Sequence, residues 1–219
     1  MKIQKYSSGM IGTNCYLVWD ENSKEAMLVD PGDYEKKIAD CVETEGLTVK
    51  YIVLTHGHGD HIGGVAEFSE KYPDAQLVAG EKEAEILGNA GLNMSREIFG
   101  VATSLEADIL VKENDEISLG DLRFLVLETP GHTPGGISLY IADGSAFAGE
   151  HSGVAITGDT LFQESIGRTD FPGGNFKTLA ESIRTKLYTL PADTLVLPGH
   201  MDFTEIGYET KNNPFVHGQ

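Results

Sequence analysis

The stretch "YIVLTHGHGDHIGG" places three histidines and an aspartate, His56, His58, Asp60 and His61, within six consecutive positions. A glycine-rich loop has little structural use for so many imidazoles. Imidazole nitrogens and carboxylate oxygens are, however, the donors that hold Zn, Fe or Mn. Three further apolar runs end on the same residue types: "FLVLETPGH" on His132, "VAITGDT" at Asp159 and "TLVLPGH" on His200. Each alone reads as a turn, because a histidine after Pro-Gly or an aspartate before Thr commonly does no more than shape a loop or cap a helix. Together they offer five imidazoles and two carboxylates, more than one ion accepts. A catalytic zinc takes about four partners and keeps one position for water, so seven protein ligands fit two divalent ions if one carboxylate bridges them. Zinc is the expected ion, with iron or manganese as alternatives, and no cysteine among the candidates gives a preference for a softer metal.

Every candidate follows an apolar run directly, so strands must position them. Strands lying side by side in one orientation present their C-terminal loops together, where α/β sheets place ligand sites. The adjoining Gly57, Gly59, Gly131, Gly158 and Gly199 are expected to supply the sharp backbone turns. Upstream, "NCYLVW" and "EAMLVDPG" read as a hairpin around "DENSKE". "YEKKIADCVETEG" reads as a helix with Ile38, Cys41 and Val42 on one face and Gly46 at its end. "VKYIVLT" is a strand, and "GGVAEFSEKYP" a helix carrying Val65 and Phe68 that stops at Pro73. A short helix is expected within "EKEAEILGNAG", with loop beyond it. Further strands flank the Gly120-Asp121 turn and occupy "GISLYIA" and "GVAITGDT"; "FKTLAESIRTKLYTL" is a helix, and "DTLVLPGH" is the last clear strand. The alternation is α/β in character. No repeat, low-complexity tract or long linker interrupts it, so one domain over 1–219 is expected.

The 219 residues are 40% hydrophobic, enough to bury a core, and 34 acidic against 16 basic residues give a net charge of -18. Such a field repels nucleic-acid phosphates and anionic membranes, which leaves a small molecule as the expected partner. The two cysteines, Cys15 and Cys41, form no CxxC pair and signal neither a disulfide scaffold nor a thiolate metal site. "MKIQKYSSGM" lacks the apolar core of a signal peptide, and no apolar run approaches the ~20 residues needed to cross a bilayer. A soluble, cytoplasmic chain is expected.

With the HxHxDH motif of His56, His58, Asp60 and His61, then "TPGHTPGG", "GDTLF" and "PGH" in that order, the chain resembles the metallo-β-lactamase superfamily. Within it, "GDTLFQESIGRTDFPGG" and "NNPFV" are similar to the short glyoxalase-II-like, or hydroxyacylglutathione hydrolase-like, enzymes. The resemblance implies a four-layer αββα sandwich with the metal site at one edge of two sheets. It implies that His56, His58 and His132 hold one ion, Asp60, His61 and His200 the other, and that Asp159 bridges them. Asp30, in "LVDPG", matches a position that orients a ligand, or simply forms a turn before Pro31. The implied activity is dinuclear hydrolysis of a small thioester. Two cations sharing a water lower its pKa from ~15.7 toward ~7, which makes a bridging hydroxide available as nucleophile. A thiolate leaves without strong acid help, since its thiol titrates near ~8.5, and Asp60 can shuttle a proton besides acting as a ligand.

The longer glyoxalase II enzymes carry a basic helical region for glutathione, whereas Lys211 is the one formal cation after His200 here. Arg168, in "SIGRTDF", is the candidate substrate-binding residue; beside it Asp170 replaces the tyrosine that the resemblance leads one to expect, so the two can instead pair within the loop. "GRTDF" is also similar to the persulfide dioxygenases, which would use a single iron on His56, His132 and Asp159. Lactone or β-lactam hydrolysis by the same core, or a non-enzymatic metal-binding role, are the other readings. His151 and His217 are expected in solvent and Cys15 in the core.

Overall fold

The computed structural model describes residues 1–147 and 151–217, apart from the side chains of Ile98 and Phe147. The first sheet is built in chain order from β1 (Lys2–Ser8), β2 (Thr13–Trp19), β3 (Glu25–Val29), β4 (Thr48–Val53), β5 (Gln76–Gly80) and β6 (Ile109–Val111). Its first three strands are antiparallel neighbours; β3 to β6 run parallel. The second half supplies β7 (Glu116–Leu119), β8 (Leu122–Glu128), β9 (Ile137–Ile141), β10 (Val154–Gly158), the ribbon β11 (Leu161–Phe162) and β12 (Ser165–Ile166), then β13 (Leu195–Pro198) and β14 (Thr204–Glu205). The second sheet has the order β14-β13-β10-β9-β8-β7. Here β8, β10 and β13 point the same way, with antiparallel β9 between the first two.

The helices are α1 (Lys36–Glu45), α2 (Gly59–Ile62), α3 (Val65–Lys71), α4 (Ala84–Leu87), α5 (Ser95–Phe99), α6 (Phe176–Ser182) and α7 (Ile206–Asn212). All of β2 is buried because its side chains alternate between two apolar layers. Tyr16 and Val18 join Met27, Val53, Phe124, Val126, Leu139 and Ile156 between the sheets. Leu17 and Leu28 instead meet Ile38 and Val42 of α1 and Val65 and Phe68 of α3 on the outer face. On the far side, Leu127 and Val196 pack against Leu179 of α6 and Ile206 of α7. The result is the four-layer αββα sandwich. Burial of each such aliphatic or aromatic side chain contributes about 1.5–3 kcal/mol, which makes these layers the rigid support for the loops at their edge.

Several local expectations are corrected. The buried face of α1 is Ile38, Ala39 and Val42; Cys41 is only partly buried. Gly46 closes that helix at φ 66, where a left-handed residue lets the amide reach the last carbonyls. The segment beyond Gly91 is not all loop, since α5 and β6 lie in it; β6 gains its conformation by parallel pairing with β5. The 176–190 helix is regular only through Ser182 and widens to a π turn over Ile183–Leu187. β14 and α7 follow His200, held by the buried Ile206 and Glu209. His151 is half-buried rather than solvated, with the Asp193 carbonyl at 3.1 Å and the Glu205 carboxylate at 3.7 Å. The four site-bearing strands do not lie side by side: β4 belongs to the first sheet, and β8, β10 and β13 to the second.

The edge where these strands end is stitched between sheets by polar contacts. Asn14 donates from its backbone to Gly199 O (2.7 Å) and from its amide to Pro198 O (2.9 Å), Tyr16 Oη donates to the same Pro198 carbonyl (2.6 Å), and Ile137 N donates to Thr55 O (2.8 Å). Among the described residues no helix is long and apolar enough to cross a membrane.

Candidate metal centre

The centre starts at the end of β4. Thr55 donates its backbone N–H to Asp30 Oδ1 (2.8 Å) and its hydroxyl to Asp30 Oδ2 (2.6 Å). A hydroxyl has one proton, so Thr55 Oγ1 can only accept from His56 Nδ1 at 3.2 Å. That fixes the His56 tautomer and leaves Nε2 bare. His132, in the loop after β8, is set the same way: Nδ1 faces the Arg168 carbonyl at 2.7 Å, and Nε2 lies 2.9 Å from His58 Nδ1. The short α2 carries Asp60 and His61. His61 Nδ1 stands 3.0 Å from Asp30 Oδ2, and its Nε2 lies 3.4 Å from Asp159 Oδ1 and 3.6 Å from Asp60 Oδ2. His200 Nε2, after β13, is 3.1 Å from Asp60 Oδ2 and 3.7 Å from Asp159 Oδ2.

All seven residues read from the sequence therefore converge. Ligand atoms of His56, His58 and His132 lie within 4.8 Å of one another, as do those of Asp60, His61 and His200. Asp159 stands between the two groups, with Oδ1 toward His61 and Oδ2 3.6 Å from His132 Nε2. Asp30 with His56 and His61 forms a third such group: its carboxylate faces His61 Nδ1 directly and reaches His56 through the Thr55 hydroxyl.

The donor set fits cations. His56 Nε2, His58 Nε2, His61 Nε2 and Asp159 Oδ1 are buried with no hydrogen-bond partner among the described residues. Buried polar atoms are ordinarily paired, and leaving several unpaired in one cluster costs about 1–3 kcal/mol each. Burial, followed by the neighbouring imidazoles, pushes His56 far below the usual histidine range and His58 down to about 3, so both present neutral nitrogens. Burial also opposes charge on His61, but the carboxylates of Asp159, Asp60 and Asp30 outweigh it and raise that imidazole. Burial likewise works against charge on Asp60 and Asp159; His61, with His200 and, for Asp159, His132, reverses this and holds both carboxyls ionised.

Glycine serves two purposes here. Gly131 and Gly158 have positive φ (132° and 50°), as expected, whereas Gly57, Gly59 and Gly199 do not. At Gly199 what matters is room: a Cβ would clash with Asp159 Oδ1 and stand 2.7 Å from His61 Cε1.

His58, Asp60, His132, Asp159 and His200 open into a cavity of about 430 Å³ lined also by Ile11, Met94, Phe162, Ile166, Arg168 and Phe171. Arg168 reaches it, but its guanidinium is engaged in a fork on Asp170, Nε to Oδ1 at 2.9 Å and a terminal nitrogen to Oδ2 at 2.7 Å, and lies 4.2 Å from the Phe171 ring centre. The pairing within the loop is thus the arrangement observed. A larger hollow, about 560 Å³ over α6, touches none of the seven residues. Thr55, the bridge between Asp30 and His56, escaped the sequence reading although it directly precedes the histidine cluster.

A family described as "Metallo-beta-lactamase superfamily" matches residues 9–200. The "Probable metallo-hydrolase YqgX" of Bacillus subtilis is 39% identical over 219 residues, covering 100% of this chain and 99% of its own. The "Hydroxyacylglutathione hydrolase GloC" of Haemophilus influenzae is 35% identical over 210 residues, covering 94% and 93%. Among solved structures, the BLEG-1 B3 metallo-beta-lactamase superposes with a TM-score of 0.86 at 36% identity, covering 99% of this chain and 100% of that one. TTHA1623 in a di-iron-bound form gives a TM-score of 0.79 at 32% identity, covering 97% and 100%.

Proposed function

Because this chain belongs to the metallo-beta-lactamase superfamily, we propose that it is a two-metal hydrolase of small thioesters, of the hydroxyacylglutathione hydrolase kind. In this reading His56, His58 and His132 hold one divalent ion, Asp60, His61 and His200 the other, and Asp159 reaches both. The observation that carries it is the pair of three-residue groups, each with its ligand atoms within 4.8 Å and each presenting two members to one small cavity. Two divalent ions, zinc or iron, would there bring the pKa of a shared water toward ~7 and polarise a substrate carbonyl. The chain's own residues do the rest. Asp30 and Thr55 hold His56 and His61 in register, and the Arg168 carbonyl does so for His132. Asp60, ionised and lining the cavity, is a ligand first and would take the proton of the attacking water only secondarily.

A thioester is favoured over an amide or β-lactam by what lines the cavity. Outside the seven proposed ligands the lining offers Ile11, Met94, Phe162, Ile166 and Phe171, and Arg168, the one ionisable side chain beyond that set among the described lining residues, is engaged by Asp170. A leaving amine needs a proton delivered to it; a thiolate, with a thiol pKa of ~8.5, does not. The 35% identity to the hydroxyacylglutathione hydrolase of H. influenzae supports the same class.

The purified protein is expected to hold about two ions per chain and to cleave S-lactoylglutathione or a related thioester faster than a β-lactam or lactone. A fully loaded protein inert toward a thioester panel overturns the substrate class. Oxygen uptake with a persulfide, in place of thioester cleavage, would assign the chain to dioxygenase chemistry.

A further inference from the structure

A buried carboxylate outside the metal set binds both loops that carry the first group of histidines. Glu83 ends the 3-10 turn Glu81–Glu83 that follows β5, and it is fully buried. Its Oε1 accepts the N–H of Gly57 at 2.8 Å, the residue between His56 and His58. Its Oε2 accepts the Thr133 hydroxyl at 2.9 Å and the Gly135 N–H at 2.8 Å, in the loop of His132. The first loop leaves the first sheet and the second leaves the other sheet, so the carboxylate spans the seam between them. Both loops pack closely here: a Cβ at Gly135 would clash with Glu83 N in the turn, and one at Gly57 would stand 3.0 Å from Ile86 Cγ2 and Leu87 Cδ2 of α4.

Burying a carboxylate costs several kcal/mol unless donors compensate it, so an apolar side chain would be the simpler filler here. Three donors from two loops require two acceptor oxygens, which glutamate alone among side chains of this length provides. We propose that Glu83 is a positioning residue for the ion held by His56, His58 and His132, fixing the separation of the two loops that present them. The proposal rests on the two-metal reading above. Glu83 meets no ligand atom; it acts through Gly57 and Thr133.

The test is a competition titration of zinc against a chromophoric chelator, resolving two binding steps, with cobalt absorption to identify which group fills. In Glu83→Gln the amide must turn a donor toward one loop, so affinity at the His56, His58 and His132 group is expected to fall about 10–100-fold while the Asp60, His61 and His200 group shifts far less. Thr133→Ala, which deletes a single donor and keeps the acid, is expected to give a smaller loss at the same group and answers the question should the first variant not fold. Equal losses at both groups, or no loss at either, overturn the proposal. A wild-type chain that takes up only one ion overturns the two-metal reading separately; Glu83 positioning then stands if that ion weakens in both variants while melting of the chelated Thr133→Ala protein does not move, and falls otherwise. A wild-type chain binding no ion overturns both.

Discussion

Asp30 and His61 face each other at 3.0 Å, carboxylate Oδ2 to imidazole Nδ1, with both side chains buried. Asp30 holds this place from a left-handed backbone (φ 53) immediately after β3, while its two oxygens also take both donors of Thr55. Asp30→Asn would turn an amide donor toward Thr55 or His61 and release the His61 ring. Metal affinity is expected to fall about 10–100-fold, read by competition titration; unchanged affinity would show that Asp30 only shapes the turn before Pro31.

Asp159 has one oxygen 3.4 Å from His61 and the other 3.6 Å from His132, so it belongs to both halves of the centre. Asp159→Ala is expected to leave fewer than two ions per chain and to reduce thioester turnover by more than about 100-fold. Metal analysis and hydrolysis measured on the same sample check it. Full metal content with lost turnover would move Asp159 from ligand to proton carrier.

The centre was legible because its members sit at strand ends, where one local pattern of apolar run, glycine and His or Asp repeats. Which strands share a sheet was not, because β4 and β8 look alike in sequence and only non-local pairing separates them. Short elements such as β6 and β14 have no sequence signal for the same reason: two or three residues carry no period, and their partners supply the conformation. Glu83 lies 26 residues from Gly57 and 52 from Gly135, with nothing local to distinguish it from Glu81 or Glu85. Asp170, by contrast, was readable as a partner for Arg168 because the two are neighbours in one loop.

Gly199 precedes His200 with an ordinary φ, so its requirement is space. Gly199→Ala drives a methyl group into Asp159 Oδ1 and toward His61 Cε1. Displacement of a ligand by about 1 Å is worth about 100-fold in rate, while overpacking costs about 1–3 kcal/mol of stability. We expect kcat/KM to fall by that factor with the fold retained by circular dichroism. Near-wild-type turnover would mean that the loop yields without moving the ligands.

The exposed fork of Arg168 on Asp170 engages the guanidinium that lines the cavity. Asp170→Asn frees Arg168 for a substrate carboxylate. Because an exposed, solvent-screened pair holds its partners only weakly, the expected gain in kcat/KM for an anionic thioester over a neutral one is no more than about fivefold. Arg168→Ala should abolish that gain. Equal effects on both substrates would show that the fork orders the loop and does not select charge.

Burial pushes Glu83 up from 4.5 to about 7, against the opposing hydrogen bonds from Gly57, Thr133 and Gly135. Between those two values the folded chain keeps a proton that the unfolded chain has released. The unfolded state then binds fewer protons, so this group's contribution to stability is fully present below about pH 4.5 and declines as pH rises through about 7. At about 1.4 kcal/mol per unit, the decline is at most about 3.5 kcal/mol. Urea unfolding with a chelator present, at about pH 5 and about pH 7.5, should show wild type losing stability relative to Glu83→Gln by an amount of that order. Parallel stabilities at both values would mean that Glu83 stays ionised throughout, its three donors outweighing its burial.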